Sequence, residues 1–474
     1  MRYRGHRLLW ILVLALLSRL ICLVLTVDPE YDGYDRFVKG LRLLSDPYNI
    51  MHHWYWLPLF QYIDAVLYWL TGSYLSIRVL STMCGLISTT LVYRLALKIS
   101  SSEKAAWISS ALTAFNPLIF IYDTTGMTEP LFTTLFISTL YFFILNKPAL
   151  FSLPLATACL LRYEAWFLSP ILYAVALVQR RSKPWRIVLS SLLPLASMSV
   201  WLYLNYVHYG DPFNFVRLLD RYLEFVRHEL PSRSQHISPN EAQFLMIKEL
   251  LSPIWYLLGY LIFLIPTVFL EALLGIIKYA RKDIDNMALT VFAVFYVSLI
   301  TYFRVSGSSE GWFRYGIPAI PLFIIFAVCH VVKKKSVVTP KRFFSASLIL
   351  SLVSIGILTI LNWGYVSPIL ETSKWLRENV KDEKILCVRS PIIVLSEIPL
   401  ERFVFLWSRD IDRAWFIDFL KSRNITYVVS HFGYFSDLCE SFPMAFASER
   451  NLYVIYEVKN PDNTNHYCND ENIP

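Results

Sequence analysis

Four carboxylates stand close together directly after the first hydrophobic segment, at Asp28, Glu30, Asp32 and Asp35. Residues 8–27 before them are almost wholly apolar and are long enough to cross a bilayer, which takes about 20 residues. Carboxylates at a membrane surface are costly unless they are solvated or used in a reaction. A carboxylate in this place can serve as a general base that takes a proton from a hydroxyl group. We therefore predict a functional carboxylate here, with a solvated acidic loop as the alternative.

Further charged and polar groups occur at the ends of other apolar segments, which are predicted to meet the same membrane surface. Arginine is the preferred planar donor for a phosphate group, so arginines beside carboxylates favour binding of an anionic lipid head group. The candidates are His52, His53, Asp123, Glu129, Arg162, Glu164, Arg304, Arg314 and Tyr315.

Each of these groups also has a structural interpretation. Glu129 opens an apolar segment, where an acid in the first turn of a helix is stabilised by the helix dipole. Arg314 is alternatively an anchor at the membrane interface, and Arg162 and Glu164 are alternatively a structural pair. The two adjacent histidines are alternatively interfacial residues. Arg19, which lies within the first apolar segment, is expected to bond to a neighbouring helix.

The composition is that of a membrane protein. The chain has 474 residues, of which 55% are hydrophobic and 17% charged, whereas soluble proteins average roughly 25% charged residues. Repeated apolar runs predict a polytopic α-helical membrane protein. The net charge of +8 is concentrated in a few short loops, as the positive-inside rule requires, and does not indicate a nucleic-acid-binding protein.

About eleven transmembrane helices are predicted from these apolar runs. Basic residues before the first one place the N-terminus in the cytoplasm. The segment 53–70 is aromatic and is interrupted by proline, glutamine and aspartate, so it is predicted to be an interfacial helix in the first exterior loop. Counting it as a span would place the strongest basic clusters outside the cell. The predicted spans are residues 8–27, 74–97, 105–122, 130–145, 149–161, 166–178, 187–207, 253–277, 287–303, 315–332 and 343–361.

Two regions outside the membrane are predicted, both on the exterior side. Residues 209–252 form a long loop with an amphipathic helix around 214–228 and a polar stretch at 231–239. The tail is predicted to be a small soluble α/β domain with a disordered end from residue 460. The chain thus divides into a catalytic transmembrane domain, 1–361, and an exterior domain, 362–474. Within the tail, helices are predicted at 371–380 and 411–422 and strands at 385–388, 425–430 and 452–458.

Several short motifs together resemble the GT-C superfamily, the integral-membrane glycosyltransferases that use lipid-phosphate sugars. They are the acidic run after the first span, His52-His53-Trp54-Tyr55-Trp56-Leu57-Pro58, Thr128-Glu129-Pro130, Leu161-Arg162-Tyr163-Glu164 and Phe313-Arg314-Tyr315. Their order and sidedness resemble the protein-mannosyltransferase and aminoarabinose-transferase-like branch, whose members end in a soluble exterior domain. The oligosaccharyltransferase branch is disfavoured, because the tail has no Trp-Trp-Asp-Tyr-Gly-like run.

The resemblance implies roles for the candidate residues. The catalytic acid of the superfamily lies in the first exterior loop, which corresponds here to Asp32 or Asp35. Asp32 is slightly favoured, because Arg36 adjoins Asp35 and is a candidate to pair with it. A second acid at the start of the fourth span corresponds to Glu129 or Asp123, of which Glu129 is the closer match to the Thr-Glu-Pro pattern. The donor phosphate is then expected to bind Arg314, Arg304, Arg162 and Tyr315, and the donor or acceptor to contact His52, His53 and Glu164.

The resemblance also implies an activity. It is transfer of a hexose, with mannose expected, from a polyprenyl- or dolichyl-phosphate sugar to an exterior hydroxyl group of a protein or glycolipid acceptor. Inverting single displacement needs no cofactor. A divalent metal site is an alternative, because acids and the two histidines His52 and His53 are predicted on one face, but no ligand spacing supports it. We expect a multi-pass protein of the plasma membrane, or of the endoplasmic reticulum in a eukaryote, with its tail outside.

Two other functions are alternatives. A transporter or flippase of lipid-linked sugars would use the same exterior charges as a gate, but it is expected to contain internal repeats, and none is evident. A non-catalytic subunit of a glycan-assembly complex would tolerate the loss of Asp32 and Asp35.

Overall fold

The computed structural model describes residues 6–179, 182–224, 266–279, 284–306, 308–309, 313–333, 339–406, 413–431, 439, 442–448 and 452–458. Contacts divide the chain into two compact units. The larger unit consists of Met1–Thr26 and Lys39–Gly356, and the smaller unit consists of Val27–Val38 and Ile357–Pro474. The polar stretch 231–239, most of the predicted span 253–277 and the tail from residue 460 lie outside the described residues.

Helices dominate the larger unit, because an α-helix satisfies its backbone polar groups within one apolar segment. Among the described residues of this unit, two 3-10 helices, Ile50–His53 and Phe313–Ala319, accompany them. The described α-helices up to the sheet are α1 (His6–Leu25), α2 (Tyr31–Leu43), α3 (Leu59–Thr71), α4 (Leu75–Ser100), α5 (Glu103–Ala114), α6 (Pro117–Tyr122), α7 (Glu129–Ile144), α8 (Pro148–Cys159), α9 (Glu164–Gln179), α10 (Pro184–Tyr209), α11 (Asn214–Glu224), α12 (Pro266–Tyr279), α13 (Ile284–Val305), α14 (Ile320–Val332) and α15 (Pro340–Asn379).

Six of the helical segments in the described part of the chain are long and apolar enough to cross a bilayer. Three shorter apolar helices, α7, α8 and α9, accompany them. The prediction of a polytopic helical protein is therefore confirmed, while the count of eleven spans and the interfacial position of residues 53–70 stay predictions. The six segments are His6–Leu25, Leu75–Ser100, Pro184–Tyr209, Asp285–Val305, Arg314–Val332 and Pro340–Gly364.

The predicted span 105–122 is divided in the structure. α5 ends at Ala114, and α6 begins at Pro117. Asn116 explains the new start, because its side chain accepts a hydrogen bond from the Ile119 amide at 3.3 Å and so caps α6. Proline is favoured at the first helical position, because the N–H that it lacks would have no partner within the helix there. It ends a preceding helix, because the interior of a helix needs that N–H.

The smaller unit contains a five-stranded sheet. Its strands are β1 (Lys384–Cys387), β2 (Phe403–Val404), β3 (Ile425–His431), β4 (Met444–Ala447) and β5 (Tyr453–Glu457), in the spatial order β2-β1-β3-β5-β4. The strand β1 pairs in parallel with β2 and β3, whereas β5 pairs antiparallel with β3 and β4. Helices α16 (Ser390–Leu395) and α17 (Arg413–Ser422) lie between the parallel strands in the sequence. The α/β character predicted for the tail is confirmed.

Both sides of this sheet have a hydrophobic core. One core includes Ile385, Cys387, Val429 and Ile455 together with Leu376 of α15. The other core includes Leu386, Val428 and residues of α17. Alternate residues of a strand point to opposite faces, which explains why Ile385 and Leu386 enter different cores.

Candidate active site

Two candidate carboxylates of the larger unit are the first residues of helices. Glu129 begins α7 and is followed by Pro130, and Glu164 begins α9. An acid in the first turn of a helix is stabilised by the backbone N–H groups that have no partner within the helix. Local sequence therefore accounts for the placement of both acids.

Arg162 joins these two acids. It lies in the turn between α8 and α9, and its Nη1 donates to Glu129 Oε1 at 2.8 Å. Its Nε and Nη2 donate to Glu164 Oε1 at 3.1 and 2.7 Å. A planar guanidinium group with several fixed donors suits such a bridge. The structural pair expected as one interpretation of Arg162 and Glu164 is thus present, and it extends to Glu129.

Arg314 and Tyr315 complete this group, which we call the Glu129 cluster: Glu129, Arg162, Glu164, Arg314 and Tyr315. Arg314 Nε lies 3.6 Å from Glu129 Oε1. The Tyr315 ring lies against both arginines, with its centroid 4.9 Å from Arg162 Cζ and 5.5 Å from Arg314 Cζ. The structure therefore brings together five of the residues that the sequence marked as candidates.

Glu129, Glu164 and Arg314 of the Glu129 cluster are buried, and Arg162 and Tyr315 are half-buried. The cluster is formally neutral, because its two arginines balance its two glutamates. Glu129 is only 1% exposed and Arg314 6%. Buried charges are stable only when they are paired, so the pairing itself is expected. The 3.6 Å contact of Arg314 is longer than the 2.8 Å contact of Arg162. Glu129 therefore holds the Arg314 guanidinium group less closely than it holds that of Arg162.

Asp123 lies in a separate ion pair with Arg19 of α1. Arg19 Nη2 and Nε donate to Asp123 Oδ2 at 2.7 and 3.0 Å, and Nη2 also donates to the Ala114 carbonyl at 2.8 Å. The helix-to-helix bond expected of Arg19 is confirmed. Gly85 of α4 makes room for the pair, since a Cβ atom there would clash with the Asp123 carboxylate. The arrangement indicates a structural use of Asp123, and its catalytic role stays a prediction.

Sequence reasoning missed two residues of α4 that hold the segment around Asp123. Arg78 is buried, and it donates to the carbonyls of Thr124 and Thr26 at 2.7 and 2.9 Å. Thr82 Oγ1 donates to the Asp123 carbonyl at 2.8 Å. Arg78, Thr82 and Gly85 lie on one face of α4 at helical spacing. A polar and small-residue stripe of this kind in a predicted span indicates a helix-packing face, and it could have identified these residues from the sequence.

Asp32 and Asp35 belong to the smaller unit, where both lie on α2 and are half-buried. Ser390 Oγ, at the start of α16, donates to Asp35 Oδ1 at 3.1 Å. Tyr31 Oη donates to the Val388 carbonyl at 3.0 Å. Burial and then the nearby Asp35 carboxylate raise the pKa of Tyr31, so its phenol stays protonated and remains a donor. The first helical turn of α2 is thus tied to the residues that follow β1.

The two histidines differ in their surroundings. His53 is 1% exposed, and its ring centroid lies 5.2 Å from that of Tyr62 and 6.0 Å from that of Trp201. Burial, and then the neighbouring His52, lower the pKa of His53 to about 4, so this ring is neutral at pH 7. His52 is half-buried, and its Nε2 lies 3.8 Å from Asp46 Oδ2. Their contact with a donor or acceptor stays a prediction.

The last candidate, Arg304, is in the final turn of α13. Its predicted role at a phosphate group is also untested. Within the part of the chain that the structure describes, no three His, Cys, Asp or Glu side chains are grouped so that they would hold a metal ion.

Comparison with known proteins gives one curated relative and a set of similar structures. No family model matches the chain. A dolichyl-phosphooligosaccharide-protein glycotransferase of Archaeoglobus fulgidus is 28% identical over 186 residues, which are 38% of this chain and 30% of the relative. The match thus spans less than a third of the relative's length. This relative transfers oligosaccharides according to its name, although the missing motif in the tail had disfavoured that branch.

Two of the similar structures cover almost the whole chain. ArnT of Cupriavidus metallidurans in the apo state superposes with a TM-score of 0.62 at 13% identity, covering 94% of this chain and 97% of ArnT. The same protein bound to undecaprenyl phosphate superposes with a TM-score of 0.58 at 12% identity and the same coverage. At this identity the likeness establishes a common fold.

Proposed function

Because the chain has the fold of the GT-C type of integral-membrane protein, to which ArnT belongs, we propose that it is a glycosyltransferase that uses a lipid-linked sugar. The observation that carries this proposal is the Glu129 cluster. In it, the guanidinium groups of the buried Arg314 and the half-buried Arg162 lie against the Tyr315 ring, next to the acids that begin α7 and α9. Guanidinium groups in a water-poor setting are strong donors to a phosphate group.

The reaction is a single displacement. The acceptor oxygen attacks the anomeric carbon, the bond from that carbon to the phosphate oxygen breaks, and the polyprenyl phosphate leaves with the bonding electrons. The general base that takes the proton of the acceptor hydroxyl is Asp35 rather than the Asp32 favoured from the sequence, because Ser390 donates to the Asp35 carboxylate. Arg314, assisted by Arg162, stabilises the charge on the departing phosphate. The anomeric configuration is inverted.

The donor is a polyprenyl- or dolichyl-phosphate sugar, and the acceptor is a protein or a glycolipid. Two observations support this donor class: ArnT of the same fold has been solved with undecaprenyl phosphate, and the archaeal relative is named for a dolichyl-linked donor. Mannose is the sugar that we expect to be transferred. Neither name mentions mannose, so the sugar has to be chosen by experiment.

The test of the proposed function is transfer by the purified protein. Polyprenyl-phosphate mannose, glucose and aminoarabinose are supplied one at a time with a panel of peptide and glycolipid acceptors. We expect a glycosylated product of inverted configuration with at least one donor. Movement of the lipid-linked sugar across a vesicle membrane without any product would show a flippase instead.

We also propose a sidedness: the N-terminus is cytoplasmic and the domain after residue 361 is exterior, in the plasma membrane. The reason is that lysine and arginine clusters, such as Lys333, Lys334 and Lys335, follow alternate spans, and such clusters stay in the cytoplasm. Two exposed lysines are suited to a labelling test of this sidedness. Lys183 directly precedes α10, and Lys421 lies in the last turn of α17.

In a background without reactive native thiols, a cysteine at Lys421 should react with a membrane-impermeant reagent added to whole cells. A cysteine at Lys183 should react only after the membrane is opened. The two positions serve as controls for each other. The reverse labelling pattern would overturn the assignment of the tail to the exterior.

Changes at Arg314 should weaken donor binding. A lysine keeps the positive charge but loses the planar fork, so Arg314→Lys should lower donor affinity more than charge alone would explain. Arg314→Ala removes a charge-assisted hydrogen bond, which contributes about 1.5–3 kcal/mol, and should lower affinity on the order of 10- to 100-fold. The measurement is the Kd of a non-hydrolysable polyprenyl-phosphate sugar analogue for the detergent-solubilised variants.

Arg186→Lys is the matched control, because Arg186 is exposed near the start of α10. It should bind the donor analogue as the unmodified protein does, and acceptor affinity should be unchanged in all three variants. Loss of stability at Arg314 with unchanged donor affinity would show that Arg314 is a structural anchor.

A further inference from the structure

The acidic helix of the first exterior loop is part of the hydrophobic core of the smaller unit. Val38 of α2 is 2% exposed and packs in one cluster with Ile369 and Leu376 of α15 and with Ile385 of β1. These partners are more than 300 positions further along the chain. A helix that is packed in this way has a fixed position relative to the sheet, unlike a free loop.

The residues directly after β1 make the polar contacts to the first turn of this helix. Ser390 Oγ donates to Asp35 Oδ1 at 3.1 Å, and the Val388 carbonyl accepts a hydrogen bond from Tyr31 Oη at 3.0 Å. Arg389, between them, places its Cζ 5.2 Å from the centroid of the Tyr31 ring. Three consecutive residues thus hold two positions of α2 that are one helical turn apart.

The position of β1 makes this support rigid. β1 is hydrogen-bonded on both sides, in parallel, to β2 and β3. The chain passes from β1 to β2, which is its neighbour on one side, and then crosses to β3, which is its neighbour on the other side. The direction in which strands are added to the sheet therefore reverses next to β1. In α/β sheets the carboxyl ends of the strands at such a reversal are where functional groups are commonly placed. Ser390 itself is 1% exposed, so its hydroxyl group has little freedom.

We propose that residues 388–390 of the smaller unit position α2, the helix that carries Asp35, and that Ser390 orients the Asp35 carboxylate. The proposal rests on the proposed function, because it takes Asp35 as the general base. A hydrogen bond to one carboxylate oxygen fixes the plane of the group and therefore the direction of its other oxygen. Proton transfer needs that direction to be held, since catalytic groups act efficiently only within narrow geometric limits. The exterior domain then takes part in catalysis by supporting the base.

The first test separates positioning from binding. Ser390→Ala removes the hydrogen bond to a charged group and should lower kcat about tenfold, with the KM for the donor unchanged. Ser390→Thr keeps the hydroxyl group and should restore most of kcat. Ser396→Ala is the matched control, because Ser396 is equally buried but donates only to the Ile393 carbonyl at its own helix end. It should leave kcat unchanged.

A double-mutant cycle with Asp35→Asn identifies the partner through which Ser390 acts. Once Asp35 is an amide, Ser390→Ala should lower the residual rate no further, because the oriented base is already lost. Equal losses from Ser390→Ala in both backgrounds would overturn the proposal, as would no loss in the unmodified background.

A second measurement does not depend on activity. Hydrogen exchange of the peptide that spans residues 31–38 should be faster in Ser390→Ala and unchanged in Ser390→Thr and Ser396→Ala. If the unmodified protein transfers no sugar from any donor, the proposed function fails, and this exchange result alone decides whether Ser390 holds α2. Exchange rates that are equal in all variants would overturn the positioning role.

Discussion

Replacing Asp35 with asparagine should lower the rate of sugar transfer by about 10²–10⁴-fold, the usual contribution of a general base. Asparagine keeps the size of the side chain and can still accept the hydrogen bond from Ser390, but it cannot take a proton from the acceptor. Donor affinity and folding should therefore stay close to those of the unmodified protein. Single-turnover transfer with saturating donor measures the effect directly.

Two neighbouring acids complete this experiment. Asp32→Asn should have a smaller effect than Asp35→Asn, because Asp35 is the carboxylate that Ser390 orients. Glu30→Gln is the matched control in the same acidic segment and should transfer sugar at the normal rate. Near-normal turnover of both aspartate variants and of their double variant would show that the general base is not in this loop. A large loss of turnover in Asp32→Asn alone would identify Asp32 as the general base.

Replacing Arg19 with leucine should destabilise the protein by about 3–5 kcal/mol, the typical cost of removing one partner of a buried ion pair. Arg19 is fully buried and Asp123 is 2% exposed, so the carboxylate would lose its paired charge without gaining water. The double variant Arg19→Leu, Asp123→Asn should recover much of this loss, because no buried charge is left. The free energy of unfolding in mixed micelles with increasing SDS measures both effects.

Arg94→Leu is the control for this pair, because Arg94 is an exposed position of α4. It should change the free energy of unfolding by roughly 0.5 kcal/mol or less, as most exposed substitutions do. If the single and double variants at Arg19 lose equal stability, packing rather than charge pairing explains the contribution of Arg19.

Local patterns were enough to predict much of the fold. Hydropathy over about 20 residues predicts a spanning helix, because the bilayer imposes a fixed length on it. The predicted spans 74–97 and 187–207 accordingly match α4 and α10. Alternating and apolar runs predicted β3 and β5, whose observed ranges differ from the prediction by only a residue or so. The two-residue β2 is too short to carry such a pattern and was missed. The four-residue β4 was missed as well, although the equally short β1 was predicted.

The sequence by itself determined the membrane class, the resemblance to one superfamily and the residue types that the chemistry needs. Only the tertiary structure decided how these residues are paired. Asp123 lies 104 positions from Arg19, and Asp35 lies 355 positions from Ser390, yet each pair is within hydrogen-bond distance. Helical periodicity and hydropathy report the surroundings of a residue over one or two turns, whereas the partner of a buried charge is set by which helices and strands pack together. The sequence therefore left several acids as candidates and slightly favoured Asp32 over Asp35. The fold separated the acid that is paired with Arg19 from the acid that is bonded to Ser390.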